Sequence, residues 1–356
     1  MPNIRILIVD DSSPIRQTIS SLLTEEDDMQ VVGIAPNGRM GVEKVTQVRP
    51  DVVLLDIEMP EMDGMTALKL IRKDHANLPI IMFSALTKKG ATQTLEALAL
   101  GADDYVAKPS MQANLDEALE NCKNELVPKI RALCGRAAAD KTLAARVQPA
   151  NPARLSSHAD VVVLTASTGG PNALAELLPR FPANCPVPII VVQSMLPLLV
   201  KSFVEKLQGQ CRMKVLESGA AQPLLPGIYV ATGQKHTVVE RVGNEIHIVA
   251  KESVADNQHV PSTDILLQSL TNAYGGNCLV GVLTGMGNNG VKGCELVRSL
   301  GGEILVQDQA SSKVWGTASA VLEAGVAHGV LPLNGFYDHI RRRILASKSS
   351  PVLAAS

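Results

Sequence analysis

The sequence predicts an α/β protein made of two doubly wound parallel-sheet domains. Two stretches of the 356-residue chain each alternate short β-rich runs with amphipathic helical patterns. Strands that alternate with helices in this way form parallel sheets covered by helices on both faces. Between the two stretches, residues 135–157 contain two prolines and many small side chains but no sustained apolar stripe, which is typical of a linker.

The first stretch runs from Ile4 to about Leu133. Its predicted strands are Arg5–Val9, Val31–Ala35, Val52–Asp56, Ile80–Phe83 and Tyr105–Ala107. Its predicted helices include Pro14–Leu23, Met65–Lys73 and Asn114–Leu133. We expect a first domain at residues 1–125 and a linker at 126–158, with the last helix continuing into the start of that linker.

The second stretch begins at Asp160, and we expect it to form a domain at residues 159–346 with a frayed tail at 347–356. Its predicted strands are Val161–Thr165, Pro188–Gln193, Gly227–Ala231, Glu245–Ala250, Val280–Thr284 and Glu303–Gln307. Its predicted helices include Ala173–Leu178, Ser262–Ala273 and Gly290–Leu300. The strand-rich piece Leu216–Lys251 predicts an antiparallel excursion from the parallel sheet.

The composition excludes several classes of protein. Lys and Arg (33) nearly balance Asp and Glu (35), which argues against a general nucleic-acid binder. No apolar run approaches the roughly 18–20 residues of a membrane span, and Met1–Asp11 lacks the pattern of a signal peptide. The six cysteines form no Cys-x-x-Cys pair, so we expect reduced thiols, as in a cytoplasmic protein. From the lack of a long apolar run we expect that the protein is not inserted in a membrane.

Polar side chains stand where the strands of the first stretch end. Asp10 and Asp11 follow the first strand, Asp56 ends the third, Ser84 ends the fourth and Lys108 follows the fifth. In a parallel sheet these positions meet at the carboxyl edge, where α/β folds place their sites. Crowded carboxylates need a hard divalent cation, and their oxygen ligands suit Mg²⁺. Taken alone, an Asp-Asp pair after a strand is more often a turn or a helix cap, and a single Lys-Pro is more often a solvated loop. The complete order predicts a carboxylate that accepts a phosphoryl group.

This order, with the segment DIEMPEMDG at 56–64, resembles the receiver domain of two-component response regulators over residues 3 to about 125. The resemblance implies a flavodoxin-like fold that binds Mg²⁺. The residues it implies are the phosphoacceptor Asp56, the metal ligands Asp10, Asp11, Asp56 and the backbone of Glu58, the switch residues Ser84 and Tyr105, and the phosphate-binding Lys108. A phosphoryl group adds about two negative charges, which can draw Ser84 inward and let Tyr105 change rotamer.

A serine lies at a tight turn in the second stretch, where Val161–Thr165 leads into the sequence ASTGGP at 166–171. The glycines let a substrate approach the backbone, and the following helix presents free amides to an oxyanion. A plain helix N-cap is the alternative explanation for such a turn when it is considered alone.

Further segments match the same family as this turn. They are LTGMG at 283–287, QSM at 193–195, HVPSTD at 259–264, QD at 307–308 and residues 311–316. Together they resemble the catalytic domain of the CheB family of chemotaxis protein-glutamate methylesterases, over residues 159–345. The resemblance implies a Rossmann-like domain, and the order of receiver, linker and esterase is that of the family.

The family hydrolyses receptor methyl esters with a Ser-His-Asp triad, and many members also deamidate receptor glutamines. The resemblance implies that Ser167 is the nucleophile and that Thr168 and Met286 lie at the oxyanion and substrate. The family histidine falls at Ser194, and the family aspartate falls at Asn289. Two of the three triad positions are therefore changed.

These substitutions predict weak hydrolysis. Ser167 needs a base to take its proton and an acid to return it, and a serine hydroxyl is a negligible base at pH 7. We expect the two changes to be coupled, because an aspartate at position 289 without an imidazolium would be a partly buried, unpartnered charge. Two loop histidines, His236 and His259, are candidate replacement bases that the sequence does not place, and a surface or helix-capping role is the more common one for such a histidine.

Two functions remain open from the sequence. The first is a methylesterase and glutamine deamidase controlled by phosphorylation, and the second is a phosphorylation-switched protein that binds receptors without hydrolysing them. The resemblance implies a chemotaxis histidine kinase and methyl-accepting receptors as partners. A DNA-binding response regulator is disfavoured, because the second stretch has neither helix-turn-helix character nor a basic face.

Overall fold

The computed structural model describes residues 3–85, 87–109, 115–135, 155–252 and 260–345. The chain divides between Ala138 and Ala139 into two compact units. Residues 136–154 of the linker predicted at 126–158, His259 and the tail at 347–356 lie outside the described residues.

The first unit is a five-stranded parallel sheet in the order β2-β1-β3-β4-β5. Its strands are β1 (Ile4–Val9), β2 (Met29–Ala35), β3 (Val52–Asp56), β4 (Ile80–Ser84) and β5 (Asp104–Ala107). Its helices are α1 (Ser13–Thr24), α2 (Gly38–Val48), α3 (Gly64–Asp74), α4 (Lys88–Ala99) and α5 (Leu115–Cys134). The order confirms the predicted doubly wound sheet, and β1, β3 and β4 lie inside it because both of their faces are apolar.

Helix α5 continues past residue 125, where we expected the first domain to end. Leu126, Val127 and Ile130 on this helix are buried in the core of the first unit, together with Ile19 of α1. This burial of apolar surface holds the whole helix on the sheet.

The second unit contains a seven-stranded parallel sheet in the order β15-β14-β13-β6-β7-β10-β8. Its strands are β6 (Val161–Ala166), β7 (Ile189–Gln193), β8 (Val215–Glu217), β10 (Ile228–Val230), β13 (Cys278–Val282), β14 (Glu303–Gln307) and β15 (Gly329–Leu331). Its helices are α6 (Gly170–Leu177), α7 (Pro197–Gln210), α8 (Thr263–Tyr274), α9 (Val291–Ser299), α10 (Thr317–Glu323) and α11 (Leu333–Leu345), and a short 3-10 helix covers Leu178–Arg180.

The predicted antiparallel excursion is a separate three-stranded sheet. It consists of β9 (Gln222–Pro223), β11 (His236–Val242) and β12 (Glu245–Lys251), in the order β11-β12-β9. Strand β13 ends two residues earlier than we expected. Thr284 leaves the strand because its N–H donates to the Gln307 side chain at 2.8 Å instead of continuing the ladder.

The segment that leads into the second unit is attached to that unit's last helix. The Arg343 guanidinium on α11 donates to the carbonyl of Ser156 at 2.6 Å and pairs with the Glu303 carboxylate at 2.6 Å. Since Ser156 precedes β6, this attachment lies at the amino edge of the sheet, opposite the edge where β6 ends.

None of the helices in the described part of the chain is long and apolar enough to cross a membrane.

Candidate functional site

The carboxyl edge of the first sheet brings three carboxylates together. Asp10 and Asp11 follow β1, Asp56 ends its neighbour β3, and one oxygen from each lies within 4.8 Å of the others. Asp10 and Asp56 are buried, whereas Asp11 is exposed. The Ser12 N–H fixes the Asp10 carboxylate by donating to its Oδ1 at 2.8 Å.

Lys108 neutralises two of these carboxylates. Its Nζ lies 2.7 Å from Asp10 Oδ2 and 2.7 Å from Asp56 Oδ2, and its backbone N–H donates to the Ser84 carbonyl at 2.8 Å. Burial raises the pKa of Asp56 to about 6, against the opposing effect of the Lys108 ammonium. Burial alone would lower the Lys108 pKa, but the two carboxylates outweigh it and raise that pKa.

The donor set fits a divalent cation. Asp10 Oδ2 is buried and accepts no well-directed hydrogen bond among the described residues, although it faces the Lys108 ammonium. Three oxygen donors around such an atom match the hard ligands that Mg²⁺ selects. The Glu58 carboxylate pairs instead with Lys89 at 2.5 Å on the surface, so the backbone of Glu58 stays a predicted ligand.

The two predicted switch residues lie on adjacent strands, β4 and β5. Ser84 is buried at the end of β4, and its hydroxyl donates to the Ala85 carbonyl at 3.4 Å. Tyr105 is buried on β5, and the Lys129 ammonium of α5 lies 4.8 Å from the centre of its ring. No pattern in the sequence singles out Lys129.

In the second unit, Ser167 occupies a tight turn between β6 and α6. The N–H of Met286 donates to Ser167 Oγ at 2.9 Å, so the predicted oxyanion residue lies beside the predicted nucleophile. Gly285 allows this approach, because a Cβ there would lie 2.5 Å from Ser167 Oγ. Gly169 has φ +77° and a Cβ there would meet Lys313, which explains the requirement for glycine in the turn.

The Thr284 hydroxyl joins the loops around this turn. It donates to the Thr168 carbonyl at 3.0 Å, lies 3.2 Å from the Val314 carbonyl, and accepts the N–H groups of Lys313 and Val314 at 3.0 Å each. The buried Gln307 side chain accepts the Thr284 N–H. The loop after β13 and the loop after β14 are therefore held as one rigid support for Ser167.

Ser194 lies at the end of β7, next to β6. The side-chain N–H₂ of Gln193 donates to the carbonyls of Ser167 at 3.0 Å and Ser194 at 2.9 Å, which ties the two strand ends together. Ser194 is exposed. Within the described part of the chain, its hydroxyl makes no hydrogen bond.

Asn289 contacts the beginning of α8. Its Oδ1 accepts the N–H of Thr263 at 3.0 Å, the N–H of Asp264 at 3.5 Å and the hydroxyl of Ser262 at 3.4 Å. A carboxylate at this position would find the same donors and the positive end of the helix dipole. An aspartate at position 289 would therefore have hydrogen-bond partners, and the expected cost of an unpartnered charge there does not apply. That cost no longer gives a reason for the Ser194 and Asn289 changes to be coupled.

His236 is buried at the start of β11, where its Nδ1 accepts the N–H of Ser262 at 3.2 Å. Burial lowers the pKa of this ring, which keeps it neutral at pH 7. Among the residues that the structure describes, no histidine hydrogen-bonds Ser167 Oγ, which instead receives the Met286 N–H. His259, the other alternative base, lies outside those residues.

Comparison with known proteins covers both units. Residues 6–120 match the response regulator receiver domain, and residues 162–340 match the CheB methylesterase family. A protein-glutamate methylesterase/protein-glutamine glutaminase of Trichodesmium erythraeum is 41% identical over 97% of this chain and 100% of that protein. One of the same description from Nocardioides sp. is 42% identical over 100% of both chains. The solved CheB methylesterase catalytic domain of Thermotoga maritima is 31% identical, with TM-score 0.49, over 52% of this chain and 98% of that chain.

Proposed function

The chain belongs to the CheB family of protein-glutamate methylesterases that carry a receiver domain, and on that premise we propose that it is a phosphorylation-switched chemotaxis protein with impaired ester hydrolysis. Its second unit recognises glutamyl side chains of methyl-accepting receptors at the Ser167 turn. Its first unit receives a phosphoryl group from a chemotaxis histidine kinase. We place the protein in the cytoplasm with these partners.

Phosphorylation takes place at Asp56. Asp10, Asp11, Asp56 and the backbone of Glu58 would hold Mg²⁺, which would supply positive charge that balances the carboxylates and the incoming phosphoryl oxygens. The Asp56 carboxylate bonds to phosphorus as the bond between phosphorus and the donor breaks. Lys108, which faces both buried carboxylates at 2.7 Å, then shifts its contacts to the new phosphoryl oxygens.

Impaired hydrolysis follows from the groups around Ser167. The nearest donor, the Met286 N–H, can stabilise negative charge on oxygen but cannot take a proton from the serine. Neither Ser194 nor Asn289 is a base at neutral pH. In serine proteases, loss of the histidine lowers turnover by about 10⁶, and the remaining groups retain about 10³–10⁴ over water.

The observation that carries this proposal is the absence of a histidine bonded to Ser167 Oγ in the described residues, at a turn that is otherwise intact. An intact turn without a base favours recognition of the glutamyl group over its hydrolysis. A second candidate is an active methylesterase and glutaminase, the function that the names of its relatives give to them. That candidate requires a base from elsewhere, and His259 is the residue in question.

Release of labelled methanol from methylated receptors separates the two candidates. The full chain is assayed with Mg²⁺ and a small phosphodonor, beside Ser167→Ala. We expect the two rates to agree within about twofold. If the unmodified chain releases methanol a hundredfold faster than Ser167→Ala, the impaired-hydrolysis proposal is wrong and His259→Ala tests the relocated base.

Two further arms test the missing base and the binding function. The double change Ser194→His with Asn289→Asp should raise methanol release at least tenfold, and adding Ser167→Ala should abolish the gain. The unmodified chain should bind receptors more tightly with the phosphodonor than without it, and Asp56→Asn should remove that difference. Binding that ignores the phosphodonor would exclude the switch.

A further inference from the structure

Helix α5 places a lysine in the interior of the first unit. Lys129 is 8% exposed, and its ammonium donates to the Tyr105 carbonyl at 2.6 Å. It also pairs with the Glu125 carboxylate at 2.7 Å and the Asp104 carboxylate at 3.4 Å. The same Nζ lies over the Tyr105 ring, 4.8 Å from the ring centre.

These contacts offset the free-energy cost of burying a lysine ammonium, a group that is rarely buried. Burial alone would lower the Lys129 pKa, but Asp104 and Glu125 outweigh it and raise that pKa, so the side chain stays charged. A charged amine over an aromatic face is attracted by the negative face of the ring, most strongly when water is excluded. The ammonium therefore holds both the backbone and the ring of Tyr105.

Tyr105 lies between this lysine and the phosphorylation site. It is on β5, three residues before Lys108, whose ammonium contacts the Asp56 carboxylate at 2.7 Å. On its other side, Lys129 belongs to α5, which ends at Cys134. A displacement of Lys108 toward a phosphoryl group would thus displace the end of β5. Lys129 contacts that strand through Tyr105.

We propose that Lys129 is a positioning residue of the receiver, which fixes the buried orientation of Tyr105 and transmits a change at Asp56 to α5. The inference rests on the proposed phosphorylation of Asp56. It adds to that proposal a specific lysine on α5, outside the phosphorylation site, through which the state of the site reaches the end of the domain.

The test uses the full chain with fluorinated tyrosine, and Tyr105→Phe identifies the Tyr105 fluorine signal. The difference in that signal between H₂O and D₂O measures solvent exposure of the ring, with and without beryllofluoride and Mg²⁺. Lys129→Met removes the charge at similar size. Lys123→Met is the matched control, because Lys123 is on the same helix but pairs with Glu25 at the surface.

We expect Lys129→Met to raise the solvent effect on the Tyr105 signal at least twofold before beryllofluoride is added, and to reduce its response to beryllofluoride at least twofold. Lys129→Arg should restore both, and Lys123→Met should change neither. Incorporation of phosphoryl into Asp56 from a small donor should stay within about twofold in all variants. An unchanged Tyr105 signal in Lys129→Met would overturn the inference.

The outcomes separate this inference from the proposed function. If the unmodified chain takes up no phosphoryl group at Asp56, the proposed switch fails, and the inference fails with it. If uptake is normal but Lys129→Met responds as the unmodified chain does, only the inference fails. Should Lys129→Met not fold, Lys129→Gln removes the charge with a shorter side chain, and a Tyr105 signal that matches the unmodified chain in that variant would equally overturn the inference.

Discussion

Replacing Asp56 by asparagine should stabilise the first unit at neutral pH. The Asp56 side chain is 5% exposed, and burial raises its pKa from 3.8 to about 6. The folded state therefore holds this proton more tightly than the unfolded state. The free energy of unfolding must fall as the pH rises from 3.8 through about 6, and it stays lowered above that range.

The size of the effect follows from the displaced pKa. A change from 3.8 to about 6 corresponds to about 3 kcal/mol at pH 7.5, which is the cost of keeping Asp56 ionised in the folded chain. Asparagine has no charge to desolvate, and Lys108 keeps its ion pair with Asp10 at 2.7 Å. At pH 4 the folded unmodified chain carries Asp56 in its protonated, uncharged form, and the asparagine of Asp56→Asn is uncharged as well. The two proteins should therefore have nearly the same stability at that pH.

Hydrogen exchange measured by mass spectrometry can follow the first unit alone, through the slowest amides of β1 and β3. With a metal chelator present, Asp56→Asn should slow their exchange roughly 100-fold at pH 7.5 and hardly at all at pH 4. Asp103→Asn is the matched control, because it breaks a buried ion pair with Arg72 at 2.7 Å and should speed exchange. Equal exchange in Asp56→Asn and the unmodified chain at pH 7.5 would refute the reasoning.

Three further predictions concern the second unit. Asn289→Asp should raise its free energy of unfolding by about 0.5–1 kcal/mol in urea, because the helix end already donates to this position; a loss would restore the argument for an unpartnered charge. Gly285→Ala should lower that free energy by about 1–3 kcal/mol and displace Ser167, whereas Gly219→Ala, with open space around it, should have little effect. Burial lowers the pKa of His328 to about 4, so the free energy of unfolding of the second unit should fall as the pH drops from 6.5 toward 4. His328→Asn should remove that part of the pH dependence, measured by hydrogen exchange of the β14 amides.

The arrangement of strands was predictable because it depends on local patterns. Apolar runs such as those of β3 and β6 are buried on both faces, and polar residues after them fall at one edge of the sheet by the geometry of parallel strands. The meeting of Asp10, Asp56 and Lys108 follows from that geometry alone, without knowledge of any side-chain rotamer.

The side-chain contacts that set the chemistry were harder to predict from the sequence. Lys129 follows Glu125 by four residues, a spacing that ordinarily indicates an exposed helical ion pair. Only the packing of α5 on β5 brings the Lys129 ammonium over the face of the Tyr105 ring. Asn289 likewise reaches α8 across 26 positions of sequence, to the N–H of Thr263, and no local pattern signals such a contact.

The Thr284 hydroxyl has a consequence for how this site can evolve. Every bond that this hydroxyl makes goes to backbone atoms of the turn and its neighbouring loops, and none involves the side chains at 194 or 289. On the proposed function, point mutations at those two positions can therefore remove or return ester hydrolysis in a lineage while the backbone around Ser167 keeps its geometry. If the chain binds receptors as we propose, selection for that binding alone preserves the backbone geometry around Ser167.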